Sequence, residues 1–276
     1  MLLRRILRVI AIIALVLIVL LGVAWLGFRI PAPRYPEVEA PGASGRLPLP
    51  ADLPAPVMRY VRAVFGDSLP QVGSAIAVGR ATISMNGLVM PVRFRIYYDA
   101  QRGYYHDMQA TWFTLPILSV NERYLDGVST IDIPIIGYSN DDPKTNAAAR
   151  QGFWSEMLAW VPAIVFADPR IMWEAIDENS ARMILPDADQ TENFTITFDP
   201  ETGLMSTLTT LRYQGAESTE RTLWQNQITE WSELNGIRVP VRSSTQWADA
   251  APWAQWEIEQ VALNAAVTER MEHFGS

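Results

Sequence analysis

The chain has 276 residues, 49% of them hydrophobic and 19% charged, which marks a folded protein with ample material for a core. It holds no cysteine, which excludes disulfides, a thiol nucleophile, zinc–thiolate sites, iron–sulfur clusters and acylation at cysteine. The formal charge is −8, and Arg4, Arg5 and Arg8 precede the first apolar run, so from Val9 onward 19 basic residues face 30 acidic ones, a net −11 that argues against nucleic acid as a partner.

Residues 9–28, VIAIIALVLIVLLGVAWLGF, carry no charge over 20 positions. At about 1.5 Å per residue they span a hydrocarbon core of roughly 30 Å. Arg4, Arg5 and Arg8 on one flank, against Arg29 and Arg34 on the other, favour an N-terminus in the cytoplasm. The expectation is a single-pass anchor in the cytoplasmic membrane, with residues 1–8 inside and the rest of the chain on the extracytoplasmic side. A cleaved signal peptide is the alternative, since Gly22-Val23-Ala24 offers small residues; its apolar core is usually only about 7–15 residues long.

Residues 29–56 read as a linker, with eight prolines between 31 and 56 favouring an extended, semi-rigid spacer. From Val57 the pattern turns globular. Val57, Tyr60, Val61, Val64 and Phe65 recur at helical spacing, closed by Gly66, and predict a helix over 55–66. Asn86-Gly87 and Asp126-Gly127 are hairpin signals, and Asn235-Gly236 is a third. Val92, Phe94, Ile96 and Tyr98 alternate with Arg93 and Arg95, which gives a strand one buried and one wet face.

Strands are predicted at 71–85, 89–99, 103–113, 117–125, 128–136, 171–177, 181–185, 193–199, 204–213, 220–232, 237–247 and 253–263. A second helix is predicted near 143–167. Twelve long strands joined by tight turns make a meander, and the expected fold is mainly β (α+β). It takes the form of one large curved antiparallel sheet or unclosed half-barrel over 57–263, with two helices on its concave face. Residues 264–276, with His273, read as a frayed tail.

The series Tyr124-Leu-Asp-Gly127, Trp160-Val-Pro162, Trp173-Glu-Ala-Ile-Asp177 and Ser180-Ala181 resembles an uncharacterised family of bacterial single-span envelope proteins. Phe198 to Gly203, Arg212-Tyr213, Trp224 and Asn235 to Pro240 continue the resemblance, which covers roughly residues 57–263. It implies no activity. The architecture it implies is similar to that of periplasmic lipoprotein carriers, unclosed barrels whose helices plug a cavity for acyl chains.

The sequence offers no catalytic constellation, and the protein is not expected to be an enzyme or to hold a cofactor. His106 and Asp107 are neighbours on a strand and so face opposite ways, which leaves His106 to read as a strand-surface residue. There is no G-x-S-x-G elbow and no phosphate loop. Asp187, Asp189 and Thr191 only partly match a calcium loop, since Glu192 stands where glycine is needed and Phe198 where a bidentate glutamate is.

The stretch Phe153–Phe166, FWSEMLAWVPAIVF, is the most apolar run outside the N-terminus. Only 17 residues separate Arg150 from Asp168, with Glu156 and Pro162 among them, too few for a second span. As a helix it places Trp154, Leu158, Val161 and Val165 beside Phe153, Met157, Trp160 and Ile164, opposite Ser155 and Ala159, with a break near Val161 imposed by Pro162. Either this helix fills the concave face, or it lids a cavity for a lipid or other apolar ligand. The site expected for the second case comprises Trp154, Met157, Trp160, Ile164, Trp173 and Glu156. A structural or partner-binding module with a solid core is the alternative, and a hydrolase using Glu156 a further one.

Overall fold

The computed structural model describes residues 2–133, 137–186, 188–234 and 236–273. It opens with helix α1 (Leu2–Gly27), among the described residues the one helix long and apolar enough to cross a membrane. Strand β1 (Arg46–Pro48), helix α2 (Ala55–Phe65) and strand β2 (Ser68–Pro70) follow, β1 pairing with β2. A first meander runs through β3 (Ser74–Met85), β4 (Leu88–Asp99), β5 (Gly103–Trp112), β6 (Leu115–Leu125), β7 (Val128–Ile133) and β8 (Gly137–Asn140).

Helices α3 (Pro143–Trp160) and α4 (Pro162–Ala167) interrupt it. A second meander holds β9 (Met172–Ala175), β10 (Ser180–Ile184), β11 (Phe194–Phe198), β12 (Met205–Arg212), β13 (Thr222–Leu234), β14 (Ile237–Trp247) and β15 (Ala254–Leu263). Helix α5 (Thr268–Glu272) ends the described chain.

Strands β3 to β15 form one 13-stranded antiparallel sheet in the order β8-β7-β6-β5-β4-β3-β15-β14-β13-β12-β11-β10-β9. The pairing of β15 with β3 joins the two meanders, and β8 and β9 remain as edges, so the sheet does not close. This is the expected mainly β, unclosed architecture. The turns are built as their sequences dictate: Asn86 and Gly87 take φ of 51° and 81°, Asp126 and Gly127 of 52° and 89°, the positive values that a two-residue hairpin turn needs. The strand predicted over 128–136 is described to Ile133; residues 134–136 and Asn235 lie outside the described residues.

Strands β1, β2 and β8 escape the sequence pattern. Strand β8 is four residues long, too short for a period-2 signal, and the β1–β2 ladder pairs three residues of the proline-rich segment with three beyond α2.

Helix α3 starts where Asp142 accepts hydrogen bonds from the N–H groups of Lys144 and Thr145 at 3.0 and 2.9 Å, with Pro143 in the first turn. It stops at Val161, whose φ of −135° and ψ of 51° are not helical, and Pro162 opens α4, which is the expected proline break. In the trough of the sheet α3 touches β6 and β7 on one arm and β12 and β14 on the other.

The convex face is also covered. Ile76, Val78, Tyr97, Tyr105, Ala262, Val267 and Met271 form a second buried cluster against which Tyr35, Val38 and Ala40 pack. Gln260 ties down Val38, donating to its carbonyl at 2.7 Å and accepting from its N–H at 2.9 Å. Arg93 and Arg95, on the face read as wet, stack on the Tyr35 ring at 4.5 and 4.7 Å. The proline-rich segment is thus a strap rather than a free spacer. The stretch beyond 264 is likewise not frayed throughout, because α5 buries Met271. Extended, donor-poor chain suits both roles, and only the apolar residues between the prolines separate them.

Candidate functional site

On β5, side chains two apart share a face, and Tyr104, His106, Met108 and Ala110 all turn toward the trough. The register places His106 opposite Glu122 of β6, and Ala110 opposite Val92 of β4. Against this surface α3 presents Gly152, Ser155, Glu156, Ala159 and Trp160, an i, i+3, i+4, i+7, i+8 stripe rich in small residues. Small side chains leave space, and a cavity of about 400 Å³ remains between α3 and the sheet. Its walls are mostly apolar, with Met90, Met108, Leu118, Trp160, Trp224 and Trp256 prominent.

A polar cluster lies in the wall. His106 is 4% exposed, and its Nε2 sits 2.9 Å from Glu156 Oε2 while its Nδ1 lies 3.6 Å from Glu122 Oε2. Tyr98 donates to Glu156 Oε2 at 2.7 Å, and Tyr104 donates to Glu122. The Tyr104 ring also stacks on the imidazole, centroids 4.2 Å apart. Arg212 lines the cavity with its guanidinium 5.6 Å from the centre of the Trp224 ring, and among the described residues no carboxylate lies within 4.0 Å of it.

Burial alone would lower the His106 pKa, but the Glu156 charge and hydrogen bonds to both carboxylates outweigh it and raise the value to about 10. Burial would raise Glu122; the hydrogen bond and charge of His106, helped by Tyr104 and Arg212, hold it down at about 2. Burial and the adjacent carboxylates push the Tyr98 and Tyr104 hydroxyls well above their ordinary range. At neutral pH the cluster is therefore an imidazolium between two carboxylates, its Nε2 donating to Glu156 and its Nδ1 facing Glu122. Among the described residues no group of three or more His, Cys, Asp or Glu side chains is arranged to hold a metal ion.

Of the residues expected at the site, Glu156 and Trp160 line the cavity. Trp154, Met157 and Ile164 are buried in the packed core and do not line it. Trp173 stacks on Phe166 at 5.3 Å and is also away from it. Large side chains on the apolar arc fill space, so the hollow lies along the other stripe of α3, where Ser155 and Ala159 stand. His106 is not a surface residue, a correction to the sequence reading. Its separation from Asp107 is as expected, but its chemical partners come from across the ladder and from α3. The period-2 series Tyr104, His106, Met108, Ala110 carried that signal, because a lone titratable residue on an otherwise buried strand face needs partners there.

An unclosed antiparallel sheet with an aromatic, methionine-lined cavity under a bridging helix defines the class of fold and site. The chain belongs to the family of unknown function DUF6544, which it matches over residues 46–257. No curated protein matches it. Among solved structures it is similar to a DUF1329 family protein from Desulfovibrio piger, at 9% identity and a TM-score of 0.45, covering 73% of this chain and 90% of that one. It is also similar to a LolA superfamily protein from Nitrosomonas europaea, at 8% identity and a TM-score of 0.46, covering 78% of this chain and 95% of that one.

Proposed function

We propose that this protein binds an apolar ligand with one polar end, a lipid or fatty acyl chain, in the cavity beneath α3. In this reading α1 is a retained single-pass anchor in the cytoplasmic membrane, N-terminus inside, and the sheet domain stands on the extracytoplasmic side. The observation that carries the proposal is the cavity itself. Its volume of about 400 Å³ lies within the roughly 300–1,000 Å³ common for ligand pockets, and its wall combines apolar side chains with a few convergent polar groups. Arg212, without an ion-pair partner among the described residues, suits the polar end.

Two features weigh against hydrolysis at Glu156. A general base must accept a proton near neutral pH, whereas His106 is already charged and both its nitrogens face carboxylates. The nearest hydroxyl on α3, Ser155, donates to the Gly152 carbonyl at 3.0 Å instead of to a base. The protein is accordingly proposed as a binding protein and not an enzyme.

The test is fluorescence titration of the full chain with a nitroxide-labelled fatty acid. Trp160, Trp224 and Trp256 surround the cavity, so binding quenches tryptophan emission to a saturating level that unlabelled fatty acid reverses. Quenching that rises without limit, as partition into lipid would give, contradicts the proposal.

A further inference from the structure

Successive antiparallel strands send the β3–β4, β5–β6, β12–β13 and β14–β15 turns to one end of the sheet. The membrane helix is fastened to that same end. Trp112 Nε1 donates to the Ala24 carbonyl at 2.9 Å, and the Phe113 N–H donates to the Gly27 carbonyl at 3.1 Å. The approach is so close that a Cβ on Gly27 would fall 2.1 Å from Trp112 Nε1. Where the span ends, the β5–β6 turn begins, with no linker between them.

At this end the β3–β4 and β5–β6 turns are apolar, whereas the β12–β13 and β14–β15 turns carry Glu217, Glu220, Arg221 and Asp249. Leu88 and Val89 are 46% and 44% exposed, and Leu115 and Ile117 are 62% and 51% exposed. The turns at the far end carry Asp99, Arg102, Asp126, Asp199 and Glu201. Among the described residues, the large exposed apolar side chains there are Val128 and Ile176. The cavity also runs to the β3–β4 turn, since Ile83, Met85 and Trp253 line it, and Met85 is 38% exposed.

The geometry points to a membrane-seated rim: the β3–β4 and β5–β6 turns lie in the surface of the leaflet where α1 ends, and the cavity takes its acyl ligand sideways from that leaflet. The occupant of the rim is the bilayer rather than a protein, because a helix ending one hydrogen bond from Trp112 and Phe113 fixes them at the interface where aromatic side chains reside. Leu88, Leu115 and Ile117 then meet acyl chains instead of water. The seating requires α1 as the retained anchor, and the sideways entry rests on the ligand reading above.

Because the chain has no native cysteine, Leu88→Cys, Leu115→Cys and Asp126→Cys each accept a single environment-sensitive fluorophore. In the full chain, reconstituted in phosphatidylcholine nanodiscs containing lipid with a nitroxide near the headgroup, labels at 88 and 115 shift to the blue and lose most of their emission. The label at 126 keeps its emission. Labels at 88 and 115 as bright as the one at 126 overturn the seating, whether or not a ligand fills the cavity. For the entry route, Leu88→Asp combined with Leu115→Asp slows loading of a nitroxide fatty acid from the bilayer several-fold and leaves the saturating quench unchanged. Loading at the wild-type rate overturns sideways entry. Absence of saturable quenching in the wild type defeats the ligand reading instead.

Discussion

The two ends of the trough are made from the same kinds of residue and do different things. At one end α2 and α4 pack Tyr60 against Phe166, Phe198 and Trp231, ring centroids 5.9, 5.5 and 6.1 Å apart. At the other, α3 faces the sheet with glycine, serine and alanine, and Trp160, Trp224 and Trp256 surround a void. Aromatic residues do not by themselves distinguish a core from a pocket; the size of the residue opposite each ring does. One apolar helical run thus serves both purposes, its large residues filling one side and its small residues leaving a space on the other.

That contrast predicts unequal costs for similar truncations. Phe198→Ala at the solid end should destabilise the protein by about 4 kcal/mol, because the neighbouring rings cannot collapse into the gap. Met108→Ala, whose side chain already borders the void, should cost only about 1 kcal/mol. Urea unfolding followed by tryptophan fluorescence compares them, and equal costs would mean that the two ends are packed alike.

The next largest effect concerns the charged cluster in the cavity wall. His106→Gln removes the cation between two carboxylates and should cost about 3 kcal/mol at neutral pH. The sign of the pH dependence follows from the shifts. His106, raised from 6.5 to about 10, gives stability that is whole below pH 6.5 and lost as pH climbs through about 10. Glu122, lowered from 4.5 to about 2, gives stability that is whole above pH 4.5 and lost as pH falls through about 2. Melting temperatures of the wild type should therefore decline from pH 6.5 to 10, and those of His106→Gln should decline less; parallel curves would remove His106 from the ion-paired role.

Smaller again is the effect of filling the void. Ala110→Phe places a ring in the cavity and should change stability by about +1 kcal/mol while abolishing ligand binding. A loss of stability of the same size would mean that the ring has no room there. The smallest effect is expected on the convex face, where Tyr35→Ala releases the strap from Arg93 and Arg95 at a cost of about 1 kcal/mol or less, readable as faster proteolysis of the proline-rich segment.

Most of the fold was legible from local chemistry. Hairpin dipeptides such as Asn86-Gly87, strict alternation along 92–98 and the position of Pro162 each act within a few residues, so they mark turns, strands and a helix break directly. The site was less legible because it depends on what stands opposite. Helical periodicity identified Trp160 and Glu156 but also nominated Trp154, Met157 and Ile164, which meet the solid core. His106, Glu122 and Arg212 lie on three strands, and only the register of a 13-stranded sheet brings them to one cavity. The strap was hidden for a related reason: its apolar residues are scattered among prolines with no period to betray a partner face.

The most direct measurement of the central claim is native mass spectrometry of the full chain released from nanodiscs, wild type beside Ala110→Phe. The wild type should carry one additional lipid or acyl mass that survives mild activation, and Ala110→Phe should not. A wild type that is bare, or a variant that retains the same mass, would contradict a ligand in the cavity beneath α3.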